Sequence, residues 1–190
     1  MSPRKYLLAA LVAGASLPAL AALDRYTVDP EHTYPSLEFP HMGLSIWRGR
    51  FNKTSGKVTL DREARTGTVE IKTEISSIDF GHPKMKEFAL TEEWLNAAAY
   101  PTMTYSGTVN FDGSQPASID GTLFLRGIYR PLKLKINQFK CIPHPIFKKE
   151  LCGADAEGDL DRAEYGMTLY TGDGMGKLHL RIQVEGLKDN

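Results

Sequence analysis

Two cysteines, scattered histidines, no surplus of either charge and no second long apolar run: what this 190-residue chain lacks narrows its function first. Lys+Arg and Asp+Glu number 23 each, so nothing in the balance calls for a polyanionic partner, and no nucleic-acid contact is expected. His32, His41, His82, His144 and His179 stand singly. His32 and His41 would lie roughly 30 Å apart on one extended strand, too far to share a metal. No G-x-S-x-G elbow occurs to expose a nucleophilic serine. Gly172–Lys177 (GDGMGK) lacks the first glycine and the Ser/Thr of a phosphate-binding loop. The acidic run from Asp155 to Asp161 puts Leu160 where a calcium loop needs glycine, so it reads as a solvated strand face. No catalytic residue and no metal ligand is assigned, and the chain is expected not to be an enzyme.

The one long apolar run is at the start. Arg4 and Lys5 precede a nearly all-apolar stretch from Tyr6 to Leu17, and Ala19-Leu20-Ala21 offers a small-x-small cleavage pattern. This is the form of a secretory signal peptide over residues 1–21, too short to span a bilayer, followed by one domain over 22–190. Cleavage removes Arg4 and Lys5, leaving 21 basic against 23 acidic residues, a net charge of −2. In an exported protein the lone pair Cys141 and Cys152 reads as a disulfide closing a surface loop. A Cys141, His144, Cys152 metal site is the competing reading, but no fourth ligand lies nearby in the chain.

What is present in quantity is alternation. In the stretch from Tyr26 to Asp61, Leu37, Phe39 and His41 share one face, and Trp47, Gly49 and Phe51 share another after the Met42-Gly43-Leu44 break. The same period of two runs through segments 55–61, 68–75, 102–111, 117–126, 129–139, 154–162 and 177–187. The exception is 82–98, rich in Ala, Leu, Lys and Glu, where Pro83 suits a first helical turn and Thr91 a second N-cap. The pattern predicts an all-β fold of about eight antiparallel strands with one short helical insertion. Closing such a sheet removes its edges, and an eight-stranded barrel is just wide enough for one small ligand. A β-sandwich is the alternative on pattern alone.

One strand is informative about the interior. From 154 to 162, Asp155, Glu157, Asp159 and Asp161 take one face and Ala154, Ala156, Gly158 and Leu160 the other. An inner face this small leaves space rather than filling it. Aromatic residues are in surplus around it: Phe39, Trp47, Phe51, Phe80, Phe88, Trp94, Tyr105 and Phe124. As a set they fit the lining of an apolar pocket. The expected lining is Phe39, His41, Leu44, Trp47, Phe51, Ile78, Met85, Phe88, Leu90, Trp94, Tyr105, Leu123 and Leu125, with His41 the one polar group placed to meet a headgroup.

Six motifs then follow in order: YTVDPEH (26–32), FPHMGLS (39–45), RGRFNKTSG (48–56), SSIDFG (76–81), YPTMTY (100–105) and GTLFLRGIYRPLKL (121–134). Together they resemble the YceI-like family of periplasmic polyisoprenoid-binding proteins, whose fold is a lipocalin-like barrel. The resemblance implies a periplasmic carrier enclosing a polyisoprenoid, an isoprenoid quinone or a fatty-acid-like amide, with no cofactor other than such a lipid. It also makes a homodimer and a transient contact with a membrane or membrane protein plausible expectations. Two other functions stay open here: a lipid-modifying enzyme using His41, and a partner-binding module serving a membrane redox protein. Two departures from the family pattern matter. Pro35 replaces an apolar strand residue, so the strand there should be bulged or on an edge, and the segment after Gly81 is more apolar than the family's polar run.

Overall fold

A computed structural model of the chain describes residues 23–190, so the segment read as a signal peptide, 1–21, lies outside the described residues. The strands are β1 (Asp24–Val28), β2 (Tyr34–His41), β3 (Ser45–Phe51), β4 (Thr54–Asp61), β5 (Thr66–Glu74), β6 (Ile78–Asp79), β7 (Thr102–Asp112), β8 (Gln115–Leu125), β9 (Ile128–Pro143), β10 (Glu150–Asp161) and β11 (Lys177–Lys188). A single α-helix among the described residues, α1, spans Pro83–Ala89.

These strands occupy eight positions around a closed antiparallel barrel. β1 and β2 are successive halves of one long strand: Tyr26 lies opposite Lys188 and Val28 opposite Gly186, then Tyr34 opposite Gln183 and Glu38 opposite His179. β3 and β4 form the next position, with Gly49 opposite Leu37 and Lys57 opposite Thr27. β5 and β6 form the third, with Thr73 opposite Thr54 and Ile78 opposite Phe51. β7 to β11 are uninterrupted, and β11 pairs back to β1. One sheet closed on itself is a barrel, so the sandwich alternative falls away.

Local chemistry supports each interruption. Between β1 and β2, Asp29 Oδ1 accepts from the Glu31 amide at 2.9 Å and Oδ2 meets His32 Nδ1 at 2.8 Å. Thr33, fully buried, puts its hydroxyl in the ladder, donating to the Glu185 carbonyl at 3.4 Å and accepting from the Glu185 amide at 3.2 Å. A side chain thus replaces the rungs that the looped backbone gives up. Beside it, the Ser77 hydroxyl accepts from the Lys53 amide at 3.1 Å, joining the second and third breaks.

β2 carries two prolines without losing its place. It pairs with β11 over Tyr34–Gln183 to Glu38–His179 and with β3 over Ser36–Arg50 to His41–Ser45. Pro35 and Pro40 therefore fall where one neighbour is missing, as the absent N–H of proline requires.

The helical insertion is shorter than the 82–98 expected. α1 ends at Ala89, and the Thr91 hydroxyl donates back to the Phe88 carbonyl at 2.9 Å instead of capping a second helix. Asn96 at φ 47° then turns the chain out of any helical path. The cysteines differ too. β9 runs on to Pro143 and β10 begins at Glu150, so Cys141 and Cys152 are direct cross-strand partners within a hairpin, not the ends of a surface loop. Their prolines, Pro143 and Pro145, hide this strand from a periodicity reading.

The core is a continuous cluster down the barrel axis. It includes Tyr26, Leu60, Val69, Ile75, Ile78, Val109, Leu123, Leu132, Leu134, Tyr165 and Met167. The end carrying the β2–β3 turn, α1 and the 162–176 connection is called the upper end below. The end carrying the β9–β10 turn is the lower.

Candidate functional site

The inner faces of the strands enclose an apolar cavity of about 170 Å³ in the upper half of the barrel. Leu37, Phe51, Ile71, Met103, Tyr105, Ile119, Leu123, Leu125, Leu132, Leu134, Ala154, Ala156, Leu180 and Ile182 are among its walls. A second chamber of about 80 Å³ lies below, walled by Tyr26, Leu60, Val109, Pro116, Phe139 and Cys152, and shares Val58, Val69, Ile119, Ile136, Ala154 and Val184 with the first. Space is left beside β10, which lines the cavity with Ala154, Ala156 and Leu160, where most other strands contribute leucine, isoleucine or valine. The two chambers together offer about 250 Å³, just under the roughly 300–1,000 Å³ of a drug-sized pocket.

Polar groups at the wall are few, and Tyr105, Thr54 and Thr73 are hydrogen-bonded to protein. The Tyr105 hydroxyl donates to the Leu132 carbonyl at 2.9 Å, and burial pushes its pKa up, keeping it neutral. Its ring end occupies the place a side chain on Gly121 would take, with a Cβ there only 2.4 Å from the hydroxyl. Thr54 and Thr73 bond each other through their hydroxyls at 3.1 Å. None of these groups is free to act as a base, and the wall offers an apolar ligand contact area without competing for hydrogen bonds.

Each end carries a polar cluster. At the lower end Tyr26 donates to Glu150 at 2.6 Å, and Arg62 reaches Glu150 at 2.9 Å and the Tyr26 oxygen at 2.9 Å. Burial and the bond to Glu150 raise the Tyr26 pKa. Burial opposes ionisation of Glu150 as well, but the Tyr26 hydrogen bond and the Arg62 guanidinium outweigh it and hold that carboxyl below its usual range. At the upper end Arg162 is buried without a carboxylate, which lowers its pKa through desolvation. Its guanidinium donates to the carbonyls of Met167 (2.6 Å), Leu169 (2.6 Å), Tyr170 (2.9 Å) and Met175 (3.2 Å) and lies 4.5 Å from the Trp94 ring. Arg126 joins the same two segments, donating to Tyr165 and Glu92 carbonyls at 3.1 and 2.9 Å.

Of the expected lining residues, the structure brings Phe51, Tyr105, Leu123 and Leu125 together around the cavity. Ile78 is fully buried beside it but not in its wall. Phe39, His41 and Trp47 sit higher on the β2–β3 hairpin, where the His41 ring stacks on Trp47 at 3.8 Å and Phe39 meets Trp47 edge-on at 5.9 Å. Leu44 is at the hairpin turn and exposed. Met85, Phe88, Leu90 and Trp94 belong to the cap: Phe88 is half exposed, and Trp94 is sandwiched between Phe88, at 5.2 Å, and Arg162. Gly49 is flat because the Phe80 ring lies over it, 2.5 Å from where a Cβ would be. Phe124 points outward and packs on Tyr129 at 4.6 Å.

The wall also includes Ile71, Met103, Ile119, Leu132, Leu134, Ile136, Leu180 and Ile182, which the expected lining omits although the alternation puts them on inward strand faces.

Closed antiparallel barrel and apolar two-chambered interior define the class: a barrel built around an internal apolar space. The YceI-like domain model matches residues 26–186, and the chain belongs to that family. It is 28% identical to a UPF0312 protein of Shewanella denitrificans over 97% of this chain and 99% of that one. To a UPF0312 protein of Pseudomonas aeruginosa it is 25% identical over 97% and 98%. Among solved structures, Burkholderia cenocepacia BcnA superposes with a TM-score of 0.65 at 15% identity, covering 83% of this chain and 98% of that one. A polyisoprenoid binding domain from Saccharophagus degradans superposes at 0.60 and 13% identity, over 86% and 98%. At these identities the structures share the fold.

Proposed function

We propose that this protein is a periplasmic carrier that encloses a long apolar ligand, a polyisoprenoid, an isoprenoid quinone or a fatty-acid-like amide, in its barrel. The observation that carries the reading is the pair of adjacent apolar chambers, sharing wall residues and lined mostly by hydrocarbon. Every buried methylene of a ligand chain gains about 0.8 kcal/mol on leaving water. Tyr105, Thr54 and Thr73 are already bonded to protein, so these wall groups give up no hydrogen bond when an apolar chain enters. Membership of the YceI-like family, and the polyisoprenoid binding named for the Saccharophagus domain, favour the same ligand class. The basic, apolar and small-x-small order of residues 4–21 supports export.

The test is organic extraction of protein purified from periplasm without detergent, followed by mass spectrometry of the extract. One apolar chain recovered per protein supports the reading. Protein that is ligand-free and does not take up a polyprenol or quinone offered in vitro rules it out.

A further inference from the structure

We propose that the β9–β10 hairpin tip seats this barrel on an anionic lipid bilayer. The proposal rests on the carrier reading, because a lipid cargo must be collected from or delivered to a membrane. The tip exposes Ile142, Ile146 and Phe147, the last two at 76% and 61% of their full area. They sit among Lys140, Lys148 and Lys149, and residues 138–149 (QFKCIPHPIFKK) contain no acidic residue. The next residue, Glu150, is turned away and held by Tyr26 and Arg62. Exposed aliphatic and aromatic side chains ringed by lysines are complementary to a bilayer interface, with hydrocarbon below anionic headgroups. The upper hairpin also exposes Met42, Leu44 and Ile46, but there Glu38 pairs with both Arg48, at 3.0 Å, and Arg181, at 3.4 Å.

The lower tip is also rigid. Cys141 and Cys152 bridge its two strands just inside the turn. His144 Nδ1 accepts from the Ile146 and Phe147 amides, both at 3.1 Å, and the imidazole stacks on Phe147 at 4.6 Å. A preformed tip inserts without first ordering its backbone.

Its position relative to the cavity gives the contact a purpose. The β8–β9 ladder ends at Ser118–Lys135, yet β9 continues to Pro143 with only β10 beside it. Ile136 and Phe139 on that one-sided stretch, with Pro116 of β8, wall the lower chamber. The tip therefore stands next to the place where the barrel wall lacks hydrogen bonds and the apolar interior lies directly behind it.

The experiment is co-sedimentation of the full mature protein, disulfide intact, with phosphatidylglycerol/phosphatidylethanolamine vesicles and with phosphatidylcholine vesicles. Binding to the anionic vesicles only is expected. Lys148→Glu/Lys149→Glu should weaken it by at least about fivefold per lysine, the factor equivalent to the roughly 1 kcal/mol each cation contributes near an anionic surface. Ile146→Ser/Phe147→Ser should abolish it while leaving any lipid extracted from the purified variant unchanged, which separates failure of the tip from failure of the carrier reading. Met42→Ser/Leu44→Ser/Ile46→Ser should bind as the parent does. No binding to anionic vesicles, equal binding by the tip variants, or a tip that serves only to join two copies of the chain in sedimentation equilibrium would each overturn the proposal.

Discussion

Ala156 is the position at which the carrier reading is most exposed to test. Its methyl group is on the cavity wall and 7% accessible, and the space opposite it is the reason the barrel is not filled. Ala156→Phe places an aromatic ring in a chamber of about 170 Å³. The ring takes on the order of half that volume at protein packing density, which is about the space of one five-carbon isoprene unit. At about 0.8 kcal/mol per buried carbon, a ligand denied that unit loses about 4 kcal/mol, close to a thousandfold in affinity. The protein itself should tolerate the change, because the ring enters existing space; overpacking of a filled core costs about 1–3 kcal/mol. The assay is titration of the delipidated variant with a fluorescent polyprenol analogue, alongside thermal unfolding of both proteins. A folded variant that binds within threefold of the parent would refute the reasoning, since the ligand would then lie somewhere other than this chamber.

Other perturbations test the supports of the barrel. Cys141→Ser/Cys152→Ser should lower unfolding free energy by about 3 kcal/mol, read from urea titrations with and without reductant, and a variant that matches the oxidised parent would contradict the bridge. Arg162→Leu leaves four carbonyls of the 167–175 segment without their donor and should cost about 3 kcal/mol or more, with hydrogen exchange rising first in residues 163–175. Glu150 has a folded-state pKa below its ordinary 4.5, so its contribution is fully present above that value and is lost as pH falls through the lowered one. Glu150→Gln should accordingly reduce stability at neutral pH and flatten the acid limb of the stability curve in that region, measured by urea midpoints across pH. Gly121→Ala should displace Tyr105 from the Leu132 carbonyl and destabilise by about 1–3 kcal/mol, visible as a lost hydroxyl hydrogen bond in a variant structure.

Much of the fold was legible in the chain because period-two alternation reports directly which side of a sheet a residue takes. Val69 and Ile71, Leu132 and Leu134, and Leu180 and Ile182 all face inward as their spacing requires. Alternation is silent about distance along the barrel axis, which depends on register. Phe39, His41 and Trp47 are on the inner face of their strands, as the pattern has it, yet Trp47 pairs with Phe39 above the level of the cavity. Register in turn is set by the breaks at 29–33 and 52–53, where Thr33 and Ser77 side chains replace backbone partners. Composition misled in the insertion for a related reason. Ala97, Ala98 and Ala99 favour helix locally, but Asn96 turns the chain so that Leu90 and Leu95 reach the core and Trp94 reaches Arg162. Tertiary burial outweighed propensity there. The cavity itself was foreshadowed by the small inner face of β10, a signal about what is missing rather than what is present.

The most direct measurement is a crystal structure of the delipidated protein soaked with a polyprenol. The account predicts continuous elongated density through both chambers, in contact with Phe51, Tyr105, Leu123 and Ala156, and absent from the Ala156→Phe variant. Chambers that stay empty, or density confined to the outer surface, would contradict it.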